Sequence, residues 1–167
     1  MMELPKRKSP RIREFNYGAP NYYFITICTH EKKCIFGKSS QLNDFGRIAE
    51  ECMNQIPELF PEIRVDKYAI MPNHVHAILI LDKEGSKDIT SVIGQYKMSV
   101  TKRVHTIDMN LNVWQRSFHD HIIRNQKEYE KIWEYIQNNP QKWEEDCFFC
   151  KMSGNDTREG WKPSPTK

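Results

Sequence analysis

The tightest constraint on this chain lies between residues 64 and 82, where RVDKYAIM and HVHAILILD are two β-rich runs separated only by Pro72 and Asn73. A breaker followed by a turn-tolerant residue predicts a hairpin of two antiparallel strands. A further strand is predicted over 22–29 (YYFITICT), after the breaker Gly18-Ala19-Pro20. Asn43 or Asp44 can cap a helix over 45–60, in which Phe45, Ile48, Ala49, Cys52, Ile56 and Leu59 recur near helical spacing until Pro61. The stretch 88–105 places Ile89, Val92, Ile93, Tyr96, Val100 and Val104 on one side and Lys97, Lys102 and Arg103 elsewhere, a second helix with a basic face. A fourth strand over 113–123 and a helix over 126–139, stopped by Pro140, complete the order βαββαβα. Helices between strands that share one sheet, with a hairpin in the middle, predict an α+β fold of the ferredoxin-like, split-βαβ kind, an antiparallel sheet backed by helices.

A chain of 167 residues, 38% hydrophobic and 28% charged, builds one core rather than two. We divide it into a basic N-terminal arm (1–20), a folded domain (21–146) and a polar C-terminal tail (147–167). The net charge of +3 suits a polyanionic partner without naming one. Five scattered cysteines and the lack of any apolar run of the roughly 20 residues that span a bilayer predict a reduced, cytoplasmic protein outside the membrane. The start, MMELPKRKSPRIREF, is basic with no apolar segment behind it, unlike a secretory signal. Cys147 and Cys150 form a lone CxxC pair, insufficient for a zinc site.

His74-Val75-His76 lies within a strand-like run, so a period of two puts both imidazoles on one face. Two imidazoles make half of a divalent metal site, which needs a third ligand and an open position. They could equally be a hydrogen-bonded surface pair. His119-Asp120-His121 has the same spacing, but its neighbours are polar, whereas 74–76 sits among apolar residues where an unpartnered imidazole is costly. His119 and His121 either line the site or face water.

In EKIWEYIQNNP, Tyr135 and Asn139 are four apart and share a helix face. Asn139 offers a carbonyl oxygen as the missing ligand and Tyr135 a phenolate nucleophile. The alternative is a core aromatic beside Ile132 and Ile136, with Asn139 ending the helix. Tyr129 lies on a different face and is the weaker nucleophile candidate.

The segment MPNHVHAIL, together with FITICTHEKKCIFG, VWQRSFHDHIIRN and WEYIQNNPQKW, resembles the HUH single-tyrosine transposases, particularly the REP-associated branch, over roughly residues 11–143. The resemblance implies that His74 and His76, completed by Asn139, bind Mg²⁺ or Mn²⁺. It implies Tyr135 as the nucleophile, a 5′-phosphotyrosyl intermediate, and recognition of hairpin single-stranded DNA by a monomer or homodimer. Candidate DNA contacts are basic residues interleaved with aromatics: Arg11, Arg13 and Tyr17; Lys97, Lys102 and Arg103; and Arg116 and Arg124. Two rivals remain, a domesticated repeat-hairpin DNA-binding protein without transposition, and a metal-dependent phosphodiesterase that uses water.

Overall fold

The computed structural model describes residues 16–83, 87–146 and 148. Four strands form one antiparallel sheet: β1 (Asn21–Cys28), β4 (Ile63–Met71), β5 (His74–Leu81) and β6 (His119–Ile123), in the order β4-β5-β1-β6. A minor hairpin of β2 (Gly37–Lys38) and β3 (Gln41–Leu42) lies apart from it. The hairpin read from the sequence pairs Met71 with His74 across Pro72 and Asn73 and runs out to Ile63 opposite Leu81, with an irregularity between Val65 and Lys67. β1 is inserted beside β5, pairing Cys28 with His74 and Thr26 with His76. On its other edge β1 pairs Thr26 with His119 of β6.

Three helix starts are fixed by side chains that accept from exposed backbone N–H groups. Asn43 accepts from Gly46 at the start of α1 (Asp44–Asn54), and Asp88 from Ser91 at α3 (Ile89–Val104). Asn125 accepts from Glu128 at α4 (Gln126–Asn138). A short helix, α2 (Ile56–Leu59), follows α1 after a break at Gln55, where one continuous helix was expected. Pro57 explains the break, because it lacks the N–H that a continuing helix needs.

The two sheet faces have separate cores. On one, Tyr23, Ile25, Ile27, Val75, Leu79 and Leu81 pack against Ala49, Met53, Val92, Tyr96 and Val100 of α1 and α3. On the other, Ala69, Met71, Ile78 and Ile80 meet Ile136 of α4. α4 thus lies on the face that the even-numbered residues of β5 present. The fold is the expected ferredoxin-like one, with a narrower last strand. The expected strand over 113–123 is paired only from His119, and Trp114 contributes an isolated bridge to Thr29.

Candidate active site

Strand alternation puts His74 and His76 in the row of Ile78 and Ile80, under α4, and both imidazoles are fully buried. The protonation of His74 follows from its neighbour. Asn73 donates from Nδ2 to the carbonyls of Lys32 (3.1 Å) and Phe148 (2.8 Å), so its Oδ1 is the end that faces His74 Nδ1 at 2.8 Å. An amide oxygen only accepts, so Nδ1 of His74 carries the proton and Nε2 presents a lone pair. His76 Nδ1 lies 2.9 Å from Thr26 Oγ1. The two Nε2 atoms converge at 2.9 Å. Burial pushes both imidazoles towards the neutral form, His76 to a pKa of about 3 and His74 well below its usual value, with the His76 and Lys32 charges adding to the effect on His74. Neutral imidazole is the form that ligates metal.

Helix α4 brings Tyr135 to the same point. Its hydroxyl is 3.1 Å from His76 Nε2, and its ring meets Phe24 edge-on. Tyr135 is 40% exposed, so it is no core aromatic, and the core position beside it belongs to Ile136. Tyr129 is engaged elsewhere. Its hydroxyl donates to Asp66 at 2.7 Å, and that bond, with burial, pushes the phenol up to about 12. Asn139 caps the C-terminus of α4 and is buried, and its Oδ1 has no hydrogen-bond partner. An orphaned buried acceptor costs about 1–3 kcal/mol unless a donor or cation satisfies it.

Beyond Pro140 the chain turns back over the histidines through a short 3-10 turn (Trp143–Glu145). The Trp143 ring centroid is 5.9 Å from that of His74, and the Phe148 ring is 4.6 Å away. A polar tail was expected from 147, yet Phe148 packs on the site, because Asn73 binds its carbonyl and His74 offers a flat face. Between them, Asp146 places Oδ2 3.6 Å from His74 Nε2. The ligand atoms of His74, His76 and Asp146 all lie within 4.8 Å of one another. Neutral imidazole nitrogens and a carboxylate fit a divalent cation, and Asn139, with its orphaned amide oxygen, lines the same cleft as Tyr135 and Asp146. A cleft of about 330 Å³ shares Tyr135, Asn139 and Asp146 with this point and is also lined by Lys131, Lys142, Glu134 and Glu145.

The remaining sequence candidates scatter. His121 lies 2.6 Å from Glu128 on the sheet's edge strand, and His119 sits one strand beyond Thr26, so this pair does not converge on the His74–His76 point. Tyr17, expected as a DNA contact, is buried in the core against Tyr23, since its apolar ring fills the end of the sheet. Arg103 pairs with Glu51 of α1, and half-buried Lys97 donates to the carbonyls of Gln115 (2.6 Å) and Arg116 (3.2 Å), so both charges serve the fold first. Lys102, Arg116 and Arg124 are exposed. Arg11, Arg13, Cys147 and Cys150 lie outside the described residues. The sequence reading missed Thr26, Asn73 and Asp146. Asn73 is adjacent to His74, but only the β1–β5 register and the return of the chain beyond Pro140 bring Thr26 and Asp146 to the histidines.

A ferredoxin-like sheet with a buried histidine pair under a helix tyrosine is the arrangement of a single-tyrosine transposase. The chain belongs to the IS200-like transposase family, whose model matches residues 19–139. A Haemophilus influenzae protein of no described function is 38% identical over 86% of this chain and 93% of its own length. The REP-associated tyrosine transposase of Escherichia coli K12 is 35% identical over 47% of this chain and 44% of its own. Among solved structures, a REP-associated tyrosine transposase bound to a REP hairpin superposes with a TM-score of 0.61 at 25% identity, covering 81% of this chain and 74% of that one. A Deinococcus radiodurans protein shares the fold at 15% identity, with a TM-score of 0.51 over 77% of this chain and 95% of that one. Among the described residues no helix is long and apolar enough to cross a membrane.

Proposed function

We propose that this protein cleaves and rejoins single-stranded DNA next to a hairpin, through a covalent link between Tyr135 and a 5′-phosphate. The observation that carries this reading is the position of the Tyr135 hydroxyl, 3.1 Å from a histidine nitrogen that itself converges with a second one at 2.9 Å. His74, His76 and Asn139 would hold Mg²⁺ or Mn²⁺. When bound, such an ion polarises the scissile phosphate and favours the ionised phenol.

The chain's own residues do the rest. Asn73 and Thr26 fix the two imidazole planes, so the nitrogens that face the site are set before substrate arrives. Lys131 and Lys142 line the cleft beside Glu134 and Glu145, and the two ammonium groups are its donors to a phosphate. Tyr135 Oη forms a bond to phosphorus as the bond to the 3′ oxygen breaks. The phenol proton passes to the water of the cleft, and the leaving oxygen takes one back. Attack by a 3′-hydroxyl on the phosphotyrosine reverses the step and joins strands without ATP. The nucleophile and the histidines belong to one chain, so a single copy carries the whole set.

The test is a denaturing-gel assay of full-length protein with Mn²⁺ and hairpin oligonucleotides taken from the DNA flanking its gene. The expected result is a covalent adduct that Tyr135→Phe abolishes and Tyr129→Phe leaves intact. Cleavage without any adduct would instead identify the water-using phosphodiesterase, and hairpin binding without cleavage a domesticated binding protein.

A further inference from the structure

The histidine pair has an anionic neighbour that the helix tyrosine and its following amide do not explain. Asp146 reaches the surface through its backbone, while its side chain is 1% exposed. Oδ1 accepts from the Phe148 backbone N–H at 2.8 Å, which fixes the carboxyl group. Oδ2 is buried, makes no hydrogen bond, and points at His74 Nε2 from 3.6 Å. His74 does not donate to it, because Asn73 holds the single proton of neutral His74 on Nδ1. A nitrogen lone pair and a carboxylate oxygen therefore face each other at 3.6 Å, both buried. That arrangement is costly unless a cation joins them.

The spacing suits one. Ligand atoms about 2.1 Å from a common ion lie within roughly 4.2 Å of one another. The Nε2–Nε2 separation of 2.9 Å and the His74 Nε2–Oδ2 separation of 3.6 Å fall inside that limit, and the ligand atoms of all three residues lie within 4.8 Å of one another. We propose that Asp146 is a further ligand of the divalent ion held by His74 and His76, supplying the carboxylate that the histidine and amide set lacks. The inference rests on reading the histidine pair as a metal site. A carboxylate lowers the net charge of the loaded site and turns an imidazole-dominated site towards oxygen-preferring ions such as Mg²⁺ and Mn²⁺.

The experiment reads metal binding directly, apart from cleavage. Free Mn²⁺ is followed by its paramagnetic resonance signal during titration of the full-length wild-type protein, Asp146→Asn and His76→Ala, with the fold of each checked by circular dichroism. The wild type is expected to bind one Mn²⁺, His76→Ala to lose it, and Asp146→Asn to bind about tenfold more weakly or worse. A folded Asp146→Asn that binds within twofold of wild type, or more tightly, overturns the assignment and leaves Asp146 a residue that only holds the returning chain over His74. A wild type with no His76-dependent binding sinks the metal reading itself, and this inference with it. Should Asp146→Asn fail to fold, infrared spectra of wild-type protein labelled with ¹³C at aspartate decide the matter. Mn²⁺ is expected to shift an aspartate carboxylate band in wild type but not in His76→Ala, and the absence of any shift overturns the proposal.

Discussion

At the scale of single residues, the site depends on side chains that never touch the substrate. Thr26 faces His76 directly across the β1–β5 ladder, and its hydroxyl oxygen lies 2.9 Å from Nδ1. A histidine bound to a metal through Nε2 keeps its proton on Nδ1 and needs an acceptor there. Thr26→Val keeps the shape and removes that acceptor. We expect Mn²⁺ affinity and the rate of adduct formation to fall about 10–100-fold with the fold intact, read by metal titration and gel assay. Unchanged affinity would mean that Thr26 is a packing residue only. The histidine pair and the Tyr135–Asn139 pair were legible in the sequence because strand and helix periods place them. Asn73 was legible only as a turn residue. Its second task, holding the proton on His74, depends on two carbonyls from Lys32 and Phe148, which are distant along the chain.

At the scale of elements, α4 links fold to chemistry, because one helix carries both Tyr135 and Asn139. It is anchored at one end by Asn125, which accepts from Glu128 N–H at 2.9 Å, and along its length by Ile136, buried against Ala69, Met71 and Ile78. Ile136→Ala removes the branched side chain that sets the height of the next residue back, Tyr135, above His76. A loss of about 2–4 kcal/mol in urea unfolding is expected, together with a fall in adduct formation larger than that of Asn125→Ala, which costs about 1 kcal/mol at the exposed end. Equal effects of the two changes on activity would show that local packing under Tyr135 is immaterial. The long periodic elements were readable in advance, since hydrophobic spacing fixes them over several turns. β2 and β3, two residues each, carry no such period; Ser39 and Ser40 turn between them, and Gly37 at the start of β2 adopts a φ of 101°. The residues before His119 look strand-like, but the Gln115 N–H binds the Cys28 carbonyl beyond the end of the regular ladder. That bond and the Trp114–Thr29 bridge belong to the same antiparallel pairing with β1, which residues 116–118 interrupt before His119.

At the scale of the whole molecule, two neutral imidazoles buried between a sheet and a helix tie folding to pH. Burial depresses both, His76 to about 3, whereas in the unfolded chain each titrates near 6.5. Between those values the unfolded chain binds more protons than the folded one, so metal-free protein has its full stability above about pH 6.5 and loses it as pH falls towards the folded-state values. Each histidine contributes a slope of up to about 1.4 kcal/mol per pH unit in that window. Urea midpoints of metal-free protein measured from about pH 8 down to pH 5 are expected to be flat above 6.5 and to decline below it, and His76→Gln, which titrates nowhere in that range, to decline at about half the slope. A wild-type midpoint that stays level down to pH 5 would mean that the folded state accepts a proton on the pair, shared between the two converging Nε2 atoms, in spite of burial. Divalent metal acts on the same equilibrium with the same sign. An ion that binds only the folded chain adds about 2.7 kcal/mol when present at a hundredfold excess over its dissociation constant. Protons compete with the ion for the pair only weakly while the fold holds, because burial already keeps both imidazoles neutral. The metal-dependent gain in the midpoint is therefore expected to persist below pH 6.5 in wild type and to vanish at every pH in His76→Gln. A gain that survives His76→Gln would place the stabilising ion elsewhere on the molecule.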